Sequence, residues 1–365
     1  MKIVMIRSTD LYTNRLHKSA LALTKNGHDV KILEWDRDCK LSKDETKNGY
    51  NIHRLRFKAT YGVKNVIFLP FFWIYEFFWL LNEKFDAVHA ADFDTYFVSL
   101  IVCKLKRKPI IYDIFDFYAD MLQPSIISDS IAVADKFLMK FANCVIIADE
   151  SRIDQIGKGS NKNVVVITNS PNDLVKSTYN GESVNKNFII FFAATLQKDR
   201  FLNLDTMINA ISGLDDVKLF IVGDGDEKDH LIELSKNNTN IKFFGYKPYH
   251  EVLSMTGESH LLFSLYDPCN KNNRFASPNK LFEAMMFSKP ILVSDNTSMA
   301  LIVKKYNCGV VVNCRNADEI RSVILRLKNN LDLCNELGNN GRKAYVNQFS
   351  WEIMEDRLLS IYKNL

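Results

Sequence analysis

The 365-residue sequence has no uninterrupted apolar run of the roughly 20 residues that a membrane span needs. Its longest, Val66 to Leu81, is broken by Pro70 and Glu76. The first residues, MKIVMIR, lack the apolar core and small-residue cleavage site of an export signal and read as a first strand. Seven cysteines, Cys39, Cys103, Cys144, Cys269, Cys308, Cys314 and Cys334, include no CxxC pair and no histidine at metal-ligand spacing. The expectation is reduced, buried thiols in a cytoplasmic protein without a metal site. A formal charge of +4 is too small to point to nucleic acid as a partner. No compositional bias points to disorder.

What is present is enough apolar material, 47% of residues, to bury two cores. The first half alternates short apolar runs with helical patterns: Ile3–Ile6, Asn14–Asn26, Asp29–Leu33, the aromatic stretch, Ala87–His89, Tyr96–Lys106, Ile110–Tyr112, Ile131–Ala142 and Val145–Ile147. Such alternation specifies a parallel sheet with crossover helices. After Val164–Ile167 the segment Asn169–Lys186 turns polar and loses its period, as a linker would. The pattern restarts at Ile189–Phe192 and runs through Lys218–Val222, Lys242–Phe244, Leu261–Leu265, Ile291–Val293 and Val310–Val312. The expected fold class is therefore α/β, with two facing doubly wound Rossmann-like domains and ligands at the carboxyl ends of the strands, in an interdomain cleft. Expected boundaries are 1–170, 171–345, and a tail 346–365 packing back toward the first domain.

The densest signal is SPNKLFEAMMFSKPILVS, Ser277 to Ser294. Ser277 suits an N-cap and Pro278 the first helical position, which leaves the amides of Asn279, Lys280 and Leu281 pointing outward at the positive helix end, where a phosphate would sit. Glu283 falls one turn deeper on the same face, placed to accept the hydroxyls of a ribose. Phosphate and ribose together indicate a nucleotide; the alternative is a core helix with a surface Lys280–Glu283 pair. Gly223 and Gly225, in GDG after an apolar strand, allow close backbone approach, and Gly245 follows the next strand with Tyr246 and Lys247 available for a base pocket. Arg200, after the loop from Ala193 to Asp199, is placed to neutralise diphosphate, with Thr195 in the same loop.

Taken in order, SPNKLFEAMMFSKPILVSD, FIVGDG, IKFFGYKPYHEV and FSWE resemble the retaining, family-4-like (group 1) glycosyltransferases of glycosyltransferase-B fold. The resemblance implies a first domain that holds the acceptor and a second that holds a nucleotide-sugar. It implies that Glu283 binds ribose, and that Arg200, Lys280 and the amides near Asn279 hold diphosphate. No cofactor is implied beyond the nucleotide-diphosphate sugar, which is a substrate. The sequence departs from the family at three places: Phe275 stands where a second Glu is usual, Phe115 where a His often precedes an acidic residue, and Phe192-Ala-Ala-Thr195 replaces a Gly and a basic residue. Asp116 is then the candidate for orienting the acceptor. The expected reaction moves a sugar to a hydroxyl of a glycan or lipid-linked acceptor in polysaccharide synthesis; an epimerase of the same fold and a non-catalytic partner subunit stay open.

The aromatic stretch reads either as a buried helix or as one dipping into a lipid interface through residues such as Trp73 and Trp79. Basic clusters at Arg54, Arg56 and Lys58 and at Lys104 to Lys108 favour contact with an anionic membrane face.

Overall fold

The computed structural model describes residues 1–10, 14–59, 67–122, 125–175, 187–198 and 202–365. The chain divides into two compact units, Met1–Thr168 with Met354–Leu365, and Asn169–Ile353.

The first unit is built on eight strands: β1 (Lys2–Ile6), β2 (Asp29–Asp36), β3 (Asp44–Lys47), β4 (Tyr50–Arg56), β5 (Ala87–Ala91), β6 (Ile110–Ile114), β7 (Cys144–Ile147) and β8 (Val164–Val166), in the order β3-β4-β2-β1-β5-β6-β7-β8. All pairs are parallel except β3 with β4. The central strands are buried throughout, His89 and Asp113 included, because helices cover both faces, so no period-two alternation survives. The β3–β4 hairpin was not expected. Asn48 and Gly49 both take positive φ, the requirement of its tight turn. Arg54, on β4, is buried and bonds Glu34 at 3.0 Å and Glu45 at 2.8 Å, while Arg56 faces Asp36. The first basic cluster is thus largely neutralised within the fold.

The second unit has six parallel strands: β9 (Phe188–Ala193), β10 (Val217–Val222), β11 (Ile241–Phe243), β12 (Leu261–Ser264), β13 (Ile291–Ser294) and β14 (Gly309–Val312), ordered β11-β10-β9-β12-β13-β14. Its core joins Phe192, stacked on Phe263, to Met207, Leu219 and Ile324. The polar stretch expected as a linker is in part docked structure. Arg342 makes a double bond pair to Asp173 at 2.9 and 2.8 Å, and Tyr345 donates to the Pro171 carbonyl at 2.7 Å. Residues 176–186 lie outside the described residues.

Two glycines set the back wall of this unit. The helix Leu331–Ala344 lies against the helix Asn279–Met286 so closely that a Cβ on Gly338 would fall 1.9 Å from the Ser288 carbonyl oxygen, and one on Gly341 3.4 Å from Met285 Cα. Arg342 also donates to the Met286 carbonyl at 3.2 Å, closing the carboxyl end of that helix. Of the cysteines, Cys269 is exposed and Cys39 half-buried; the other five are buried, and all are free.

Candidate active site

In the second unit the helix Asn279–Met286 starts one residue later than expected. Pro278 is the N-cap, in extended conformation, and not the first helical residue. Ser277 therefore does not cap: its Oγ is buried without a hydrogen-bond partner among the described residues. The backbone before the helix is pinned instead by Asn169 Nδ2 on the Ser277 carbonyl (2.9 Å) and Ser298 Oγ on the Ala276 carbonyl (2.7 Å). The Leu281 amide bonds the Pro278 carbonyl at 3.2 Å, so the helix offers the amides of Asn279 and Lys280, not three.

Lys280 is buried, and its ammonium donates to the Ala193 carbonyl at 3.1 Å, at the carboxyl end of β9, over the Phe192 ring. Among the described residues it has no carboxylate within ion-pair distance. An ammonium has three donors, so this buried charge keeps capacity for an anion. Glu283 is also buried, and Tyr249 Oη donates to its Oε1 at 2.8 Å. Tyr249 was not singled out from the sequence. Its signal was present in the Tyr-Lys-Pro-Tyr run, 34 residues before Glu283.

Gly223 (φ 143°) and Gly225 (φ 151°) let the chain approach itself rather than open space. Cβ atoms there would sit 1.8 Å from the Ala194 carbonyl oxygen and 2.1 Å from that of Leu196. Bonds from the Ala194 amide to Val222 (3.1 Å) and the Leu196 amide to Asp224 (2.9 Å) tie the two loops, and the Gly223 amide bonds the Gly245 carbonyl at 2.8 Å. Thr195 is exposed on this platform, and Tyr246 is 78% exposed, its ring unsupported by packing. Lys247 pairs with Glu251. Arg200 lies outside the described residues.

The first unit gathers charge at the carboxyl ends of β1, β2, β5, β6 and β7. Phe115, where a histidine was expected in relatives, is flanked by two guanidiniums, Arg7 at 4.5 Å and Arg15 at 4.1 Å from its ring centre. Arg15 pairs with Asp113, whose other oxygen lies 3.1 Å from His89 Nε2; Tyr362 bonds the opposite ring nitrogen at 2.8 Å. Asp116 sits at the rim, its side chain 45% exposed and 3.4 Å from Arg152.

Asp92 was overlooked as a site residue. Its φ of 65° and ψ of 164° fall in a region normally open to glycine alone. This conformation turns its carboxylate onto the amides of Phe115 (2.8 Å) and Asp116 (3.1 Å). Burial raises its pKa to about 7, against the opposing pull of Arg7, with Asp94 and Asp116 adding to the rise. Asp94, bonded by Ser8, is raised by burial too. Strain held by a residue that positions a loop is a mark of a working site. A cavity of about 440 Å³ in this unit, lined by Lys2, Asp29 and Glu83, opens at the opposite edge of the sheet and touches none of these groups.

Residues 176–344 match the family model described as glycosyl transferases group 1. Over that stretch, within the second unit, the chain is similar to the group 1 glycosyltransferases. A glycosyltransferase of Methanocaldococcus jannaschii, described as uncharacterised, is 24% identical over 95% of this chain and 93% of its own length. The capsular polysaccharide biosynthesis glycosyltransferase CapM of Staphylococcus aureus is 23% identical over 64% of this chain and 61% of its own. The fold is similar to that of sucrose-phosphate synthase from Thermosynechococcus elongatus, with a TM-score of 0.79 at 14% identity over 100% of this chain and 98% of that one. It is also similar to HepE of Anabaena in complex with UDP and glucose, with a TM-score of 0.74 at 15% identity over 100% of both chains. This glycosyltransferase thus has the two-Rossmann-domain fold that its sequence pattern implied.

Proposed function

We propose that the enzyme transfers a sugar from a nucleoside diphosphate donor to a hydroxyl of a glycan or lipid-linked acceptor, with retention of configuration, in the synthesis of a surface polysaccharide or related glycoconjugate. The observation that carries the donor assignment is Lys280: a buried ammonium with a single acceptor among the described residues, beside the first amides of its helix and one turn from the buried carboxylate of Glu283. Glu283, oriented by Tyr249, takes the ribose hydroxyls. In the transfer the bond from the anomeric carbon to the diphosphate oxygen breaks as the bond to the acceptor oxygen forms. The acceptor proton passes to the departing diphosphate. Lys280, the amides of Asn279 and Lys280, and Arg200 stabilise the charge that grows there, and no metal is required.

Asp116 is the acceptor-side group on this reading, held in place by Asp92. The nucleotide complexes of neighbours such as HepE, crystallised with UDP, make UDP a natural first probe. The test is calorimetric titration with a panel of nucleoside diphosphates, followed by product analysis with and without acceptor. Binding of none of them would overturn the donor assignment, and release of free sugar or epimer in place of a glycoside would overturn the transfer.

A further inference from the structure

The helix Leu69–Asn82 is apolar on both faces: it buries Leu69, Phe72 and Leu80 and leaves other large apolar side chains outside. Its one charged side chain, Glu76, is fully buried: Ser99 Oγ donates to Oε1 at 2.7 Å, and Oε2 has no partner among the described residues. Its large apolar side chains Phe71, Ile74 and Phe78 are 56%, 59% and 59% exposed. Trp73 and Trp79, named for the lipid-dipping alternative, are half-buried, Trp73 donating to the Asp94 carbonyl at 2.5 Å and Trp79 stacking on His53. An amphipathic surface helix ordinarily keeps its apolar stripe inside and turns a charged or polar face outward.

Two neighbouring helices repeat the pattern. Phe93–Lys106 buries Asp94 and exposes Phe97, Ile101 and Leu105 at four-residue spacing. Ile126–Leu138, with the turn Met139–Phe141 that follows it, buries Asp135 and exposes Val133, Phe137 and Phe141 at the same spacing. The three are side by side. Trp73 meets Phe97 with ring centres 5.9 Å apart, Tyr96 Oη donates to the Leu138 carbonyl at 2.8 Å, and Lys104 lies over Phe141 at 5.6 Å. Each helix precedes a strand one step further along the sheet in the same direction, so right-handed connection puts all three on one face.

Charge on this face is predominantly positive, with Asp129 in the same row as Val133 and Phe137. Lys104 and Lys140 are exposed, Lys106 and Lys136 half-buried, and Asp129 is the one exposed carboxylate on the three helices. Among the described residues no helix is long and apolar enough to cross a membrane.

We propose that this face docks on an anionic lipid bilayer, its aromatic and aliphatic side chains entering the headgroup boundary while the lysines meet lipid phosphates. A patch of this kind on a soluble chain marks an interaction surface, and its charge selects the occupant. A second copy applied to the same face would set lysines against lysines. An anionic bilayer answers both the apolar rows and the cations. The inference stands apart from the transfer chemistry, since lipid binding is measured without donor or acceptor.

The experiment is cosedimentation of the full chain with phosphatidylcholine vesicles, with and without phosphatidylglycerol, at low and high salt. The variants are Ile74→Ser with Phe78→Ser, and Lys104→Glu with Lys140→Glu. Wild type should sediment with phosphatidylglycerol vesicles at low salt and stay in solution with phosphatidylcholine alone or at high salt. Each double variant should bind at least about tenfold more weakly, the loss of apolar transfer in one case and of headgroup attraction in the other. The charge variant alters exposed side chains only and serves as the reading if the apolar variant unfolds. Wild type left in the supernatant at low salt overturns the proposal, as does undiminished binding by the charge variant. So does a lipid-free dimer, seen by sedimentation velocity, that Phe78→Ser converts to monomer.

Discussion

Asp135→Asn is the sharpest test of how the first unit is held together. Asp135 is fully buried beneath the outer face of the helix Ile126–Leu138, and Tyr112 Oη donates to both its oxygens at 3.0 and 3.1 Å, with the Tyr112 ring stacked on Tyr96. Burial raises its pKa from 3.8 to about 7, more than the Tyr112 bond lowers it. The folded state therefore keeps a proton that the unfolded chain releases near pH 4. The stabilisation is complete below the unfolded pKa and is lost as pH rises through about 7. Between pH 5 and 8 linkage gives a loss on the order of 2–3 kcal/mol from this one group. Asparagine keeps a carbonyl to accept from Tyr112 and cannot ionise, so the variant should lose less stability over that interval by about that amount. Asp92 titrates in both proteins, and the part of its pH dependence that is not coupled to Asp135 cancels in the comparison. Three of the four tryptophans, Trp35, Trp73 and Trp79, lie in the first unit and Trp351 in the second, so urea unfolding followed by tryptophan fluorescence at the two pH values reports mainly on the first. Equal pH dependence in the two proteins would refute the reasoning.

Further expectations concern the donor site. Glu283→Ala should weaken binding of the preferred nucleoside diphosphate by about 1.5–3 kcal/mol, the range for bonds to a charged group, and Tyr249→Phe by less, with urea midpoints nearly unchanged; calorimetry that shows unchanged affinity for Glu283→Ala removes it from the site. Lys280→Met should lower kcat more than it raises KM, because diphosphate charge is greatest in the transition state; steady-state kinetics showing a loss confined to KM would contradict that role. Chelator should leave transfer unchanged, and activity lost with EDTA and restored by manganese would give the charge-stabilising role to a cation.

The parallel strands were legible because burial on both faces makes them mostly apolar runs. The β3–β4 hairpin was not: its first strand is Asp-Glu-Thr-Lys, exposed at a sheet edge, and the Asn48-Gly49 turn was its one clear sign. The helix Leu331–Ala344 escaped notice for a different reason. With two glycines and three asparagines its intrinsic propensity is poor, and packing against Asn279–Met286 is what holds it. Within the candidate site, spacing along one helix was enough to join Lys280 to Glu283. Nothing local joins Glu283 to Tyr249, or reveals that Asp92 would take a glycine conformation to hold Phe115 and Asp116. Those relations exist only once distant strands have placed their ends side by side. Ser277 misled because a serine before proline has the composition of a cap, while the proline itself took the cap position.

The tight seat of Gly338 against the Ser288 carbonyl has a bearing on how this enzyme tolerates change. The helix that presents Lys280 and Glu283 is positioned from behind, by atoms that no substrate reaches. A methyl group added at Gly338 would displace the far end of that helix and carry the shift along its axis to the amides at its start. In a saturation scan scored by donor binding, position 338 would then register beside Glu283, and a map of intolerant residues would reach behind the helix as well as over the face that meets the nucleotide.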